Sequence, residues 1–208
     1  MDQYGNKEYW DDRYKLDTQP FEWYQDYSAL KPLLSKELQK LQTPSPRILV
    51  IGCGNSRLSE QLHNDCHRQI INIDISSVCI NQMKEKYTDY KGMEFLEMDV
   101  TNMNFESNSF DMVIDKGTID SLLCSKSASE SCVKAVREVR RVLKSSGVFF
   151  CVSYGPPEFR LNYFSAEECR WSVDVGQLEK PGEEEDGDGE DKQFHYVYVC
   201  KSVGQEGN

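Results

Sequence analysis

The chain has 208 residues, 38% of them hydrophobic, and a formal net charge of −11. That length suits one domain with a sizeable core, and the acidic balance disfavours nucleic-acid phosphate as a partner. No apolar run is long enough to span a bilayer, and the polar start, MDQYGNKE, lacks the apolar stretch of a signal peptide and the basic, acid-poor character of a mitochondrial presequence, so a cytoplasmic location is expected.

Residues 1–27 are rich in aromatics: Tyr4, Tyr9, Trp10, Tyr14, Phe21, Trp23, Tyr24 and Tyr27. Trp10 and Tyr14 are four apart, which places them on one face of a helix. These rings suit two roles: cover for a core edge, or a lid over a cofactor carrying an adenine or a sulfonium cation, since ring faces attract positive charge. The spacing of Leu30, Leu33, Leu34 and Leu38 then predicts a helix over 28–41, with Ser28 as its cap. Thr43, Pro44, Ser45 and Pro46 break the chain.

Ile48 to Ile51 form an apolar run of strand length, followed by Gly52, Cys53, Gly54 and Asn55. Two glycines one residue apart permit a tight turn and close approach of a ligand to the backbone. Ser56 can cap a helix over Arg57 to His63, whose free N–H groups would favour a polar or anionic ligand. Many such turns need glycine for steric reasons alone. A second strand, Ile70 to Ile75, carries Asp74, 20 residues beyond Gly54. A carboxylate at that spacing can accept hydrogen bonds from both ribose hydroxyls of an adenosine cofactor. Ser76 and Ser77 already offer caps to the next helix, so Asp74 is not needed as one.

Ser76 opens a helix through Tyr87, with Val78, Cys79, Met83 and Tyr87 inward. Met93 to Met98 read as a third strand, ending at Asp99 and Val100, where Asp99 could meet an adenine amino group or merely start a turn. A fourth strand, Phe110 to Ile114, runs into Asp115, Lys116, Gly117, Thr118, Ile119 and Asp120. Dense polarity at a strand's carboxyl end is where open α/β sheets bind ligands. A helix from Ala128 to Lys144 follows, with Cys132, Val133, Val136, Val139 and Leu143 on one face. Gly147 ends a turn, and Val148 to Tyr154 form a fifth strand. Glu158 to Glu168 are expected to be partly helical. Trp171 to Val175 and Phe194 to Cys200 read as an antiparallel pair flanking residues 183–191, an acidic run with seven carboxylates and no cation. That run reads as a solvated loop, with docking of a basic partner as the functional alternative.

The eight cysteines contain no CxxC pair, and Cys151 and Cys200 lie in strand-like runs where they pack as small apolar residues. His63 and His67 are four apart, but no nearby Glu completes a zinc motif. No metal site is expected. Strands alternating with helices five times imply a parallel sheet with right-handed crossovers. The terminal strand pair replaces the second βαβ half that a dinucleotide oxidoreductase would carry. The expected architecture is α/β: a single doubly wound, mostly parallel, seven-stranded sheet.

The chain resembles the seven-strand S-adenosylmethionine-dependent methyltransferases. It is similar to the group that contains the endothelin-converting-enzyme-2-like lysine methyltransferases of translation elongation factor 1-alpha. The stretches that carry the resemblance are 8–14 (EYWDDRY), 20–24 (PFEWY), 48–56 (ILVIGCGNS), 74–78 (DISSV), 98–100 (MDV) and 115–120 (DKGTID), with 141–143 (RVL) and 171–172 (WS) in agreement. The acidic run departs from that pattern. The resemblance implies S-adenosyl-L-methionine as cofactor. Gly52 and its turn would contact the methionine part, Asp74 the ribose, Asp99 and Val100 the adenine. Lys116 would belong to the cofactor site, and Trp10, Tyr14 and Trp23 would close over it. This divides the chain into an aromatic lid over 1–27, a methyltransferase domain over 28–201 that includes the acidic loop 180–192, and a tail over 202–208. A protein substrate, elongation factor 1-alpha or a similar protein, is expected. Asp115, and after it Asp120, are the candidates to guide the acceptor lysine. A small-molecule methyltransferase of the same fold and a non-catalytic cofactor-binding module are the alternatives.

Overall fold

The computed structural model of the chain describes residues 2–41, 43–66, 69–125, 127–165, 169–182 and 193–202. The strands are β1 Arg47–Ile51, β2 Gln69–Asp74, β3 Met93–Glu97, β4 Phe110–Lys116, β5 Leu143–Ser153, β6 Trp171–Glu179 and β7 Phe194–Ser202. They form one seven-stranded sheet in the order β3-β2-β1-β4-β5-β7-β6. The first five run parallel, and β7 is antiparallel to both β5 and β6. A short 3-10 helix, Asp2–Gly5, precedes α1 Lys7–Leu16, α2 Tyr27–Lys40, α3 Leu58–Cys66, α4 Ser77–Lys86, α5 Thr118–Leu123, α6 Ala128–Val142 and α7 Pro157–Phe164.

Helices cover both sheet faces because the central strands are apolar on both. In β1, Ile48 and Val50 pack with Leu30 and Leu34 of α2 and Leu62 of α3, while Leu49 and Ile51 face Val136 and Val139 of α6. All are at most 3% exposed, and each buried side chain of this size contributes about 1.5–3 kcal/mol. The sheet order reverses between β1 and β4, so their outgoing connections diverge and leave a crevice at the carboxyl ends of the strands.

Several local expectations differ. The cap of α2 is Asp26, whose side chain accepts from the N–H of Ala29 at 3.0 Å; Ser28 lies inside the helix and donates to Asp26. No helix joins β3 to β4, where residues 98–109 cross irregularly, so the alternation is interrupted once. Residues 118–123 form α5, which the sequence pattern concealed among polar residues. Helix α6 ends at Val142, and β5 begins at once at Leu143. A register shift between Phe110 and Met112 then takes up the residues around Gly147 that were expected to turn. Ala135 and Val142 are buried on α6 where Val133 was expected. Of the 158–168 segment, Glu158 to Phe164 are helical and 166–168 lie outside the described residues, as do His67 and the acidic run 183–191. Cys151 and Cys200 are fully buried within strands, as small apolar residues would be.

Candidate functional site

A cavity of ≈ 650 Å³, counting its open mouth, occupies the crevice, a size suited to a small organic ligand. Its floor comes from strand ends: Gly52 after β1, Asp74 and Ile75 at β2, Met98, Asp99 and Val100 after β3, and Lys116, Gly117 and Thr118 at β4. Its roof is the N-terminal segment, through Tyr4, Gly5, Trp10, Tyr14 and Trp23. All eight residues expected around a cofactor therefore line one space. Tyr4, one of the aromatics offered as a lid, completes the wall with Gly5, Ser121 and Leu122, which were not expected. They belong to the 3-10 helix and α5, which meet where a Cβ on Gly5 would fall 2.4 Å from Ser125 Cβ. Close approach of two backbones leaves a glycine as its only mark in the sequence, and a lone glycine is not specific.

Asp74 is 7% exposed. Its Oδ2 accepts the N–H of Gly54 and its Oδ1 the N–H of Ser76, both at 2.9 Å. Burial pushes its carboxyl above the usual carboxylate range, and those two amides partly oppose the shift. The turn above it is tight. Gly52 and Gly54 have φ of 53° and 52°, and a Cβ on Gly52 would lie 2.0 Å from Thr118 Oγ1. On Gly54 a Cβ would meet the Tyr14 hydroxyl at 2.7 Å. Asp99 is exposed and holds Thr101 through Oδ1, leaving Oδ2 without a partner among the described residues. Val100 is buried beside it.

The roof is held down from below. Lys116 Nζ donates to Glu22 Oε2 at 2.8 Å and to the Trp23 carbonyl at 2.9 Å. Burial draws its ammonium below the usual lysine range, against the pull of Glu22. The Tyr24 hydroxyl donates to Asp120 Oδ2 at 2.7 Å, and its ring rests on Gly117. Tyr24 has a φ of 64°, a strained value for a large side chain, that sends Trp23 and Tyr24 to different partners. Further along, Asp11 on α1 accepts from Ser76 Oγ at 2.6 Å, and Gln82 of α4 donates to the Tyr14 carbonyl at 2.9 Å. Trp10 and Tyr14 stack with ring centres 6.0 Å apart, confirming their shared helix face.

The two acidic candidates for the acceptor side stand elsewhere. Asp115 is fully buried and does not line the cavity. It caps α5, accepting from the N–H groups of Thr118 (2.9 Å) and Ile119 (3.4 Å), and takes the Cys151 thiol at 3.1 Å. Burial raises its pKa to about 6. Asp120 is saturated: Oδ1 accepts from Ser153 and Arg160, Oδ2 from Tyr24 and the Tyr154 N–H. Of the polar residues after β4, Lys116, Gly117 and Thr118 line the cavity, whereas Asp115 satisfies a helix N-terminus and Asp120 a buried ion pair.

This sheet order, with its antiparallel end and its crevice at the β1–β4 reversal, is that of a seven-strand S-adenosylmethionine-dependent methyltransferase. Residues 49–151 match a family model described as a methyltransferase domain. The chain is 34% identical over 181 residues to mouse EEF1A lysine methyltransferase 4, covering 82% of this chain and 69% of the relative. It is 39% identical over 183 residues to human eEF1A lysine and N-terminal methyltransferase, covering 85% of this chain and spanning about a quarter (25%) of that protein's length. The chain belongs to this methyltransferase family. A solved S-adenosylmethionine-dependent methyltransferase from Methanosarcina mazei shares the fold, with a TM-score of 0.59 at 19% identity over 80% of this chain and 96% of the other.

The cofactor is S-adenosylmethionine, and the cavity fits it. A buried carboxylate with its two amides already bound keeps lone pairs for hydroxyl donors. The glycine turn leaves backbone space, and aromatic faces suit both a flat base and a positive sulfur.

Proposed function

We propose that the chain methylates the side-chain amine of a lysine in a protein, elongation factor eEF1A or a protein like it, in the cytosol. The observation that carries this reading is the identity, over more than four-fifths of the chain, with relatives named as eEF1A lysine methyltransferases. Cys53, Cys79, Cys124, Cys132, Cys151 and Cys200 are free thiols, in keeping with a reducing compartment.

S-adenosylmethionine supplies a methyl group on a positively charged sulfur. Asp74 accepts the ribose hydroxyls, Asp99 and Val100 frame the adenine, and Gly52 leaves room for the methionine part. Lys116 shapes the same end of the cavity. Trp10, Tyr14 and Trp23 would exclude water and offer ring faces to the cation, residues 1–27 serving as a lid. Transfer of this kind depends on alignment in a dry site. The acceptor amine must be neutral, and lysine titrates near about 10.4 in water. Asp115 and Asp120 hold the chain's own donors, so desolvation and repulsion by the sulfonium, rather than either of these two carboxylates, would favour the neutral amine.

Incubation with methyl-labelled S-adenosylmethionine and a eukaryotic cytosolic extract tests the acceptor class. One labelled protein band supports the reading. Label confined to small molecules would move the enzyme to metabolite chemistry.

A further inference from the structure

One surface beside the cavity carries chemistry that methyl transfer does not use. Tyr154 directly follows β5, and the residue is 56% exposed. Its N–H donates to Asp120 Oδ2 at 2.7 Å, the oxygen that also accepts the Tyr24 hydroxyl. Tyr24 rests on Gly117 and adjoins Trp23, both of them cavity walls. Tyr154 lies outside the cavity lining and is joined to it through Asp120 and Tyr24, whose ring rests on the wall residue Gly117. The His195 ring stands 4.9 Å from Tyr24 and 6.3 Å from Tyr154. Over the Tyr154 face, 4.5 Å from its centre, lies the ammonium of Lys180.

An exposed aromatic face attracts cations. The chain shows that this face accepts one, because its own lysine sits there. Lys180 lies just past β6, where its N–H pairs with the Gln193 carbonyl at 3.1 Å and its side chain with that of Gln193. Glu158 and Glu179 are exposed on the adjoining elements, and the chain carries a net charge of −11, seven charges of it in residues 183–191. Both features suit a basic visitor.

We propose that the exposed ring of Tyr154, backed by Tyr24 and His195, docks a cationic side chain of the protein substrate, and that Lys180 occupies the ring until that side chain displaces it. The proposal rests on the protein-lysine reading and names a second contact for that substrate. It predicts a preference for acceptor lysines with another lysine or arginine nearby in space.

The full chain is titrated with pentalysine, and the Tyr154 ring protons are followed by NMR. Those signals shift on binding. Tyr154→Ala weakens pentalysine two- to fivefold, while Tyr154→Phe, which keeps the face, does not. Lys180→Gln tightens it two- to fivefold, and Lys36→Gln, an equal change of charge on α2, has a smaller effect. Unmoved ring signals at saturation, equal affinity of the Ala and Phe variants, or equal effects of Lys180→Gln and Lys36→Gln would overturn the proposal. Pentalysine binding needs no turnover. A wrong acceptor class would instead show as an absence of labelled protein alongside unchanged pentalysine binding.

Discussion

Lys116 Nζ lies 2.8 Å from Glu22 Oε2, joining the end of β4 to the N-terminal segment across 94 residues of sequence. Glu22 also accepts from Ser56 Oγ and from the Arg57 N–H, both at 2.6 Å. One glutamate thus ties the N-terminal segment to the strand that ends at the cavity and to the helix start after the glycine turn. The Lys116 side chain is buried and that of Glu22 half-buried, so removing one partner costs less than the roughly 3–5 kcal/mol of a fully buried pair. Lys116→Met is expected to lower thermal stability and to weaken S-adenosylmethionine at least tenfold. Glu22→Gln, which keeps an oxygen for Ser56 and Arg57, should do less of both. Calorimetric titration alongside thermal melts checks the order.

The Gly54–Tyr14 contact permits a double-mutant test. A Cβ on Gly54 meets only the Tyr14 hydroxyl closely, at 2.7 Å, and the next ring atom is an ordinary 3.7 Å away. Gly54→Ala should cost stability through both this clash and its φ of 52°. Tyr14→Phe removes the clashing atom. The double variant should recover about 1–2 kcal/mol relative to additivity, measured by urea unfolding. Strict additivity would show that the lid is not seated on the turn.

Asp115 gives a pH signature. Its folded pKa is about 6, against about 3.9 in an unfolded chain. The folded state holds the proton more tightly, so this group's contribution is fully present below about pH 4. It is lost as pH rises from about 4 to about 6, by roughly 2–3 kcal/mol in all. Asp115→Asn cannot titrate. Wild-type stability relative to that variant should therefore fall across this window and stay level above it. The variant should also keep turnover, since the side chain faces the α5 backbone rather than the cavity.

Trp10 donates its Nε1 hydrogen to the Tyr4 carbonyl at 2.7 Å and packs on Tyr14 and Trp23. Trp10→Ala removes roof area and one anchor of the 3-10 helix. S-adenosylmethionine affinity should drop about tenfold or more, with a smaller loss for Trp10→Phe. An unchanged Kd for Trp10→Ala would limit the ring to a packing role.

Much of this was legible in the chain because the signals were local and periodic. Ile48 to Ile51 read as a buried strand from four consecutive apolar positions and Ile70 to Ile75 from four isoleucines in six, and β2 brings Asp74 to the cavity through strand geometry alone. Trp10 and Tyr14 needed only helical spacing. What stayed hidden depends on partners distant in sequence. Asp115 and Asp120 look like free carboxylates until α5 and Arg160 are in place, and Arg160 lies 40 residues further on. Glu22 sat unnoticed among aromatics because nothing local tells a solvated glutamate from a buried latch. Helix α5 was missed because its six residues are too few to show a period.

The most direct test of the central claim is to incubate eEF1A with methyl-labelled S-adenosylmethionine and either the wild-type chain or Asp74→Ala, then map the label by peptide mass spectrometry. The account predicts methyl groups on a lysine side chain with the wild type and none with the variant. Equal labelling by both would contradict the cofactor site, and no label on eEF1A, despite measured cofactor binding by the wild type, would contradict the substrate.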